Sequence, residues 1–413
     1  MLLFAPISRD AWHPQAPRQR RHQPRDSCEP KVIGFFLRGM QEPIAAITSK
    51  AAAIIRLTLL GRRKIFPLKH WNETMQATYK AVEVSSPGKL TLVERPLQNP
   101  GPGQVRIRVE ACGVCHSDAA TVDGRFPGLT LPRVPGHEII GRVDALGASV
   151  GNWKAGQRVG LGFFGGEDGT CEPCRRGDFV NCKNPVVPGV TVDGGYAEMV
   201  IAEARALAAV PDEFDSAEAA PLLCAGVTTF NGLRNAGLRA GDLVAVHGIG
   251  GLGHLGVQFA NRMGFETVAI GHGADKETLA RRLGAHHFID TGAVDAAAAL
   301  QEMGGAQAIL TTAPSGKSMG TLIPGLASRG KLIVVGVPSD PLPVQAHTLV
   351  FGARTITGSL TGTSIDEEDT LAFSVLQRVR PMIETMPLER AAEAYERMIS
   401  GKARFRMVLV TGQ

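Results

Sequence analysis

Residues 243–262, LVAVHGIGGLGHLGVQFANR, constrain the fold of this chain more than any other stretch. A short β-branched run leads straight into Gly248, Gly250, Gly251 and Gly253, and apolar residues then recur at helical spacing. A strand ending in Gly-x-Gly-Gly-x-Gly and opening a helix is the entry to a βαβ unit. The glycines allow the tight turn and let the backbone approach a pyrophosphate at the positive end of the helix. In a chain with 49 glycines the motif alone would be weak, but here its context is complete. ETVAI follows as a second strand, KETLARRLGA as a helix, and AQAILTTA and GKLIVVGVP as further strands, which is the rhythm of a parallel sheet. An acidic residue about 20 positions on normally bonds the ribose 2′-hydroxyl of NAD. Here the second strand runs instead into Gly271, His272 and Gly273. Lys276, Arg281 or a protonated His272 could face a 2′-phosphate, so both NAD and NADP stay open.

The chain ahead of this unit has a different texture. ATYKAVEV, LTLVERPL and QVRIRVEACGV alternate apolar and polar residues as half-buried antiparallel strands do, and short strands broken by Gly and Pro continue to about residue 212. Beyond about residue 360, DEEDTLAFSVLQRV and LERAAEAYERMISG read as helices and RFRMVLV as a closing strand. The net charge of +5 belongs to the front of the chain only. Residues 1–74 hold 13 Lys/Arg against 5 Asp/Glu, leaving 31 against 34 for the rest. Within that basic segment, residues 1 to about 30 lack an apolar pattern and read as disordered, and residues 44–60 could form an apolar helix before GRRK. A targeting or membrane-surface segment and a nucleic-acid-binding arm are two readings. The third, adopted here, is a non-native upstream extension with Met75 as the internal start. MLLFAP is too short for a signal-peptide core, and no apolar run reaches the length of a membrane span. A cytoplasmic protein with neither membrane nor nucleic-acid partner is expected. In that setting, close cysteine pairs favour metal or catalysis over disulfides.

Three segments carry a candidate metal centre. ACGVCHSD, VPGHEIIG and PLLCAGVTTF offer Cys115, His137 and Cys224, two thiolates and an imidazole, and a catalytic zinc takes three protein ligands and keeps one position open. Glu138 is a transient ligand or a nearby electrostatic tuner, and Asp118 is the natural acceptor for the His137 ring N–H. Taken alone, Cys224 reads as an ordinary buried cysteine. A second cluster lies in GEDGTCEPCRRGDFVNC, where Cys171, Cys174 and Cys182 are three thiols in search of a fourth ligand.

Together, CGVCHSD, PGHEIIG, CAGVTTF and GIGGLGHLG, in this order, resemble the zinc-dependent medium-chain alcohol dehydrogenases over about residues 77–413. The resemblance implies an α/β protein: a GroES-like β-rich catalytic domain, residues 75–225 and 361–413, and a Rossmann doubly wound parallel-sheet coenzyme domain, residues 226–360. It implies a catalytic zinc on Cys115, His137 and Cys224 with Glu138 alongside, and Ser117 as first acceptor of the substrate proton. His116 and Arg406 would lie near the coenzyme phosphates and Thr228 near the nicotinamide, with the four glycines and Lys276 completing the coenzyme site. It also implies a structural zinc. Relatives space four cysteines C-x2-C-x2-C-x7-C, and the first position falls here on Asp168, a carboxylate able to ligate zinc beside Cys171, Cys174 and Cys182. Ala120 stands where many relatives place a histidine that ends the proton relay. The expected activity is hydride transfer between a small alcohol and NAD or NADP, by a homodimer or homotetramer. A polyol, cinnamyl-type or formaldehyde dehydrogenase is the alternative on this scaffold, and a zinc-bearing nucleic-acid-binding protein the alternative from another class. A zinc-free quinone reductase would lack Cys115, His137 and Cys224 together.

Overall fold

In the computed structural model, which describes residues 77–412, the alternating segments at the front pair as an antiparallel hairpin, β1 (Thr78–Ser86) with β2 (Lys89–Pro96). The expectations for residues 1–74 lie outside the described residues. Next come β3 (Gln104–Val114), β4 (Ile139–Leu146), β5 (Arg158–Leu161), β6 (Met199–Glu203) and the short β7 (Ala208–Ala209), all antiparallel to their neighbours among these strands. β3 is the axis of this sheet. Val105, Ile107 and Val109 point to the core at period two, and from Ala111 to Val114 every residue is buried. The strand therefore dives into the interior and delivers Cys115 there.

The chain then changes layer. β8 (Leu243–His247), β9 (Glu266–Gly271), β10 (His287–Asp290), β11 (Ala306–Thr311), β12 (Leu326–Val334) and β13 (Thr355–Gly358) form an all-parallel sheet in the order β10-β9-β8-β11-β12-β13. All five residues of β8 are buried, as a central strand covered on both faces requires. Strand order reverses between β8 and β11, the crevice where open α/β sheets bind ligands. The final strands, β14 (Ile383–Pro387) and β15 (Arg406–Val410), return to the first sheet, where β15 runs antiparallel to β3 with Met407 opposite Val114. The expected closing strand thus lies beside the segment that delivers Cys115. This architecture is the expected mixed α/β class, with an antiparallel β-rich layer and a Rossmann sheet.

Helices Ala225–Arg234, Gly253–Arg262 and Ser364–Gln377 meet through Phe230, Phe259 and Phe373, with ring centroids 5.1–6.0 Å apart. Such pairs add about 0.5–1.5 kcal/mol each beyond area burial. The third helix starts on a capping box between Thr363 and Asp366 and stops at Arg378 in the left-handed conformation. Its buried face carries Glu367, Thr370, Leu371 and Ser374. Glu367 lies against Gly162, where a Cβ would fall 1.9 Å from Glu367 Oε1, and neither of its carboxyl oxygens has a hydrogen-bond partner. Among the described residues no helix is long and apolar enough to cross a membrane.

Candidate active site

Where β3 ends, the chain turns into a short helix, Asp118–Val122, with Ser117 at its N-cap. The Asp118 carboxylate faces inward at 2% exposure. Its Oδ2 accepts the backbone N–H of Cys115 at 2.9 Å and the hydroxyl of Tyr196 at 2.9 Å. Its Oδ1 lies 3.1 Å from His137 Nδ1. That contact sets the ring: Nδ1 carries the proton, and Nε2, buried and without a partner, is left as a free donor atom for a metal. Gly136 makes the approach possible, because a Cβ there would fall 2.5 Å from the Tyr196 ring and 2.8 Å from Cys112 Sγ. Its φ of 98° is also one that L side chains rarely adopt. Phe163 packs edge-on against His137 at 5.1 Å.

Cys224, at the start of helix Ala225–Arg234, brings Sγ within 3.8 Å of Cys115 Sγ. Cys115, His137, Glu138 and Cys224 each offer one ligand atom, and all four atoms lie within 4.8 Å of one another. Two thiolates and an imidazole suit zinc. The Cys224 S–H holds the Cys115 thiol well below its ordinary value, against burial and with help from His137. The same shared proton, reinforced by burial, raises Cys224. Burial would depress His137, but the Asp118 carboxylate and Cys115 outweigh it and raise the ring well above the usual histidine value. Burial raises Glu138 to about 7 against the pull of Arg406. Glu138 Oε1 accepts from Arg406 Nη2 while Oε2 has no partner. The sequence placed Arg406 near phosphates and Glu138 near the metal, and gave no sign that the two form one buried ion pair.

The glycine-rich turn sits beside this pair. A Cβ at Gly251 would lie 3.0 Å from Arg406 Nη1, and a Cβ at Gly253 would meet the Gly248 carbonyl oxygen at 1.7 Å, so the helix starts hard against the turn. Gly250, two residues after Gly248, would meet nothing within 4 Å. Thr228 is buried one turn beyond Cys224, its N–H donating to the Cys224 carbonyl at 3.0 Å. His116 and Ser117 are exposed beside Cys115. Lys276 stands apart from the metal cluster, in the turn that follows β9. The carboxylate missing from the tip of β9 is present one strand over. Asp290, paired with Gly271 at the end of β10, accepts N–H bonds from Gly273 at 2.8 Å and Gly292 at 2.9 Å. Sequence reasoning missed Asp290 and Tyr196. For Tyr196 a signal existed: Gly194 and Gly195 just before it mark a close approach, 2.1 Å to the Gly136 carbonyl and 2.7 Å to Cys112 Sγ for a Cβ at each.

In the second cluster, ligand atoms of Asp168, Cys171, Cys174 and Cys182 also lie within 4.8 Å of one another. Cys171 Sγ is 3.4 Å from Cys174 Sγ and 3.9 Å from Cys182 Sγ, well beyond a disulfide bond. Backbone N–H groups point at sulfur, from Asp168 and Asn184 to Cys182 and from Lys183 to Cys171, at 3.3–3.5 Å. Asp168 Oδ1 accepts from the N–H groups of Cys171 and Thr170, and Oδ2 from Asn184. These bonds, the one from Cys171 first, hold its carboxyl far below the usual range and keep it ionised.

The family model described as "Alcohol dehydrogenase GroES-like domain" matches residues 101–212, and that described as "Zinc-binding dehydrogenase" matches residues 251–376. The alcohol dehydrogenase notN of Aspergillus sp. (strain MF297-2) is 42% identical over 339 residues, 81% of this chain and 99% of that protein. Among solved structures, a cinnamyl alcohol dehydrogenase of Sorghum bicolor superposes with a TM-score of 0.74 at 30% identity, over 81% of this chain and 98% of that one. An acetophenone reductase of Geotrichum candidum in complex with NAD gives 0.71 at 28% identity, over 81% and 97%. The chain belongs to the zinc-dependent medium-chain alcohol dehydrogenase family. It is an enzyme, an alcohol oxidoreductase.

Proposed function

We propose that the chain interconverts small primary or secondary alcohols and their aldehydes or ketones, with zinc at Cys115, His137 and Cys224 and NAD or NADP across the crevice between β8 and β11. The observation that carries this is the convergence of those three ligand atoms, with the unpartnered Nε2 of His137 among them, beside the Arg406 and Gly251 pair. Zinc there supplies Lewis-acid polarisation of a substrate hydroxyl, lowering its pKa toward neutrality. The protein's own residues do the rest. Asp118 and Tyr196 hold His137 in the ligating tautomer, and the Cys224 S–H keeps the pKa of Cys115 low, ready to ligate as a thiolate. Ser117, exposed and making no capping bond, takes the substrate proton. With Ala120 in place of a relay histidine, Ser117 would pass the proton on either by way of a bound coenzyme's ribose or through another group. His116 and Arg406 neutralise the coenzyme phosphates, the glycines give them room at the helix N-terminus, Thr228 lines the nicotinamide side and Lys276 faces the adenosine end.

We assign a second, structural zinc to Asp168, Cys171, Cys174 and Cys182, since an ionised carboxylate and three thiolates, the ligating form of cysteine, would repel if gathered without a cation. The division into a catalytic domain (residues 75–225 and 361–413) and a coenzyme domain (226–360) is supported by the return of β14 and β15 to the sheet of β3. Self-association is supported by the edge position of β13 and by exposed Val337, Val350, Phe351 and Leu360 nearby in sequence. Cytoplasmic placement is supported by six described cysteines, none in a disulfide. The Sorghum enzyme favours a cinnamyl-type activity as the second reading. Metal analysis with an alcohol panel, using NAD and NADP in turn, tests the proposal. Zinc with alcohol-dependent coenzyme reduction is expected, and absence of both would overturn it.

A further inference from the structure

His254, one residue into helix Gly253–Arg262, is fully buried and touches neither cluster. Its Nδ1 lies 2.9 Å from the carbonyl oxygen of Gly250, in the glycine-rich turn. Its Nε2 lies 3.1 Å from the backbone nitrogen of Met382, which donates to it. A carbonyl can only accept and an amide N–H can only donate, so the ring is neutral with its proton on Nδ1. Burial agrees, pushing the imidazole down to about 4. The ring also stacks on Phe405 at 5.0 Å. One helical turn on, Gln258 extends the same seam: its Oε1 accepts from Arg380 N–H at 3.2 Å and its Nε2 donates to the Arg380 carbonyl at 3.0 Å. The Met382 carbonyl in turn accepts the N–H groups of Phe405 and Arg406, at 2.9 and 3.0 Å. Hydrogen bonds thus run from the Gly250 carbonyl through His254 to the Met382 N–H, and from the Met382 carbonyl to the main chain of Arg406. The Arg406 side chain closes the circuit, lying between Gly251 and Glu138.

We propose that His254, backed by Gln258, is a positioning residue that holds Arg406 between the glycine-rich turn and Glu138, so that a coenzyme phosphate arriving at the turn is felt at the metal cluster. An anion beside Gly251 competes with Glu138 for the one guanidinium. Glu138, with an oxygen already unpartnered, then faces Cys115 and Cys224 with its guanidinium partner drawn away, a change felt there because buried charges are screened weakly. This works only if Arg406 cannot drift with the turn, which is what the His254 bridge prevents. The inference rests on the zinc and nicotinamide reading given above.

The test loads the enzyme with Co(II) and titrates it with NAD and with NADP, following both coenzyme binding and the cobalt–thiolate absorption bands. In the wild type, coenzyme binding shifts the bands. His254→Asn keeps a donor for Gly250, and His254→Gln keeps an acceptor for Met382. Each breaks the bridge once and is milder for folding than His254→Ala. Both variants are expected to retain cobalt, bind coenzyme about 10–100-fold more weakly, since each leaves a buried carbonyl or N–H beside the turn unpaired, and lose most of the band shift. Variants with wild-type affinity and a full shift would overturn the inference, as would a wild type that binds cobalt and coenzyme without any shift, the zinc reading standing in either case. A wild type that binds neither overturns both. In the metal-free protein, nitrogen NMR of labelled histidine should find His254 protonated on Nδ1, and a proton on Nε2 would remove the bridge.

Discussion

Cys115 and Cys224 stand 109 residues apart in the chain, and with His137 they meet only because a strand end, a strand start and a helix start converge in the interior. Asp168, Cys171, Cys174 and Cys182 lie in one loop and need almost no tertiary structure to meet. The first group is buried, apart from a half-buried Cys224, and supported from behind: Asp118 holds His137 and the Cys115 amide, Tyr196 holds Asp118, and Arg406 holds Glu138. The second is half exposed and satisfied by its own backbone N–H groups. Distant assembly with a supporting layer suits a centre whose ligand geometry must be set by the whole fold. Local assembly suits a clip that ties a loop together.

If that contrast is right, changes in the first cluster should strike activity and changes in the second should strike metal content and stability. His137→Ala removes a ligand and should lower kcat/KM by at least about 10³-fold, several kcal/mol of lost transition-state stabilisation. A variant within tenfold of wild type in steady-state kinetics would contradict the assignment. Asp118→Asn leaves every ligand but disturbs the His137 tautomer, and a loss of roughly 10–100-fold in metal affinity or activity is expected, read by competition with a chelator. Asp168→Ala should bring zinc from about two to about one per chain by mass spectrometry, lower the melting temperature and leave kcat nearly unchanged. Unchanged zinc content there would take Asp168 out of the site.

How far the sequence alone reached follows the same division. The glycine-rich turn, the alternating strands and the cysteine loop were readable because each is a local pattern: a period, a turn or a spacing. The triad of Cys115, His137 and Cys224 was suggested by residue type but needed the combined resemblance, since nothing local says that residue 224 meets residue 115. Tyr196 on Asp118, Asp290 beside Gly271, Arg406 on Glu138 and His254 on Met382 escaped. Each joins segments that meet only once strands have paired or layers have packed, and hydrogen-bond partners across such separations leave no periodic trace.

Glu367 carries a consequence of its own. Burial pushes its carboxyl well above the ordinary value of 4.5, with Asp366 and Glu368 adding to the shift. The folded form therefore keeps a proton that the unfolded chain gives up. The stability this contributes is fully present below pH 4.5 and is lost as pH rises through the folded-state value. Glu367→Leu removes an unsatisfied buried group at every pH, worth roughly 1–3 kcal/mol in acid, and its advantage should widen as pH rises and the wild type loses the proton that burial favours. Urea midpoints measured across pH would show the two curves diverging, and parallel curves would refute it. Alcohol oxidation releases protons and is drawn forward by alkali, so the same rise in pH that favours the forward reaction weakens what this carboxyl contributes to the fold.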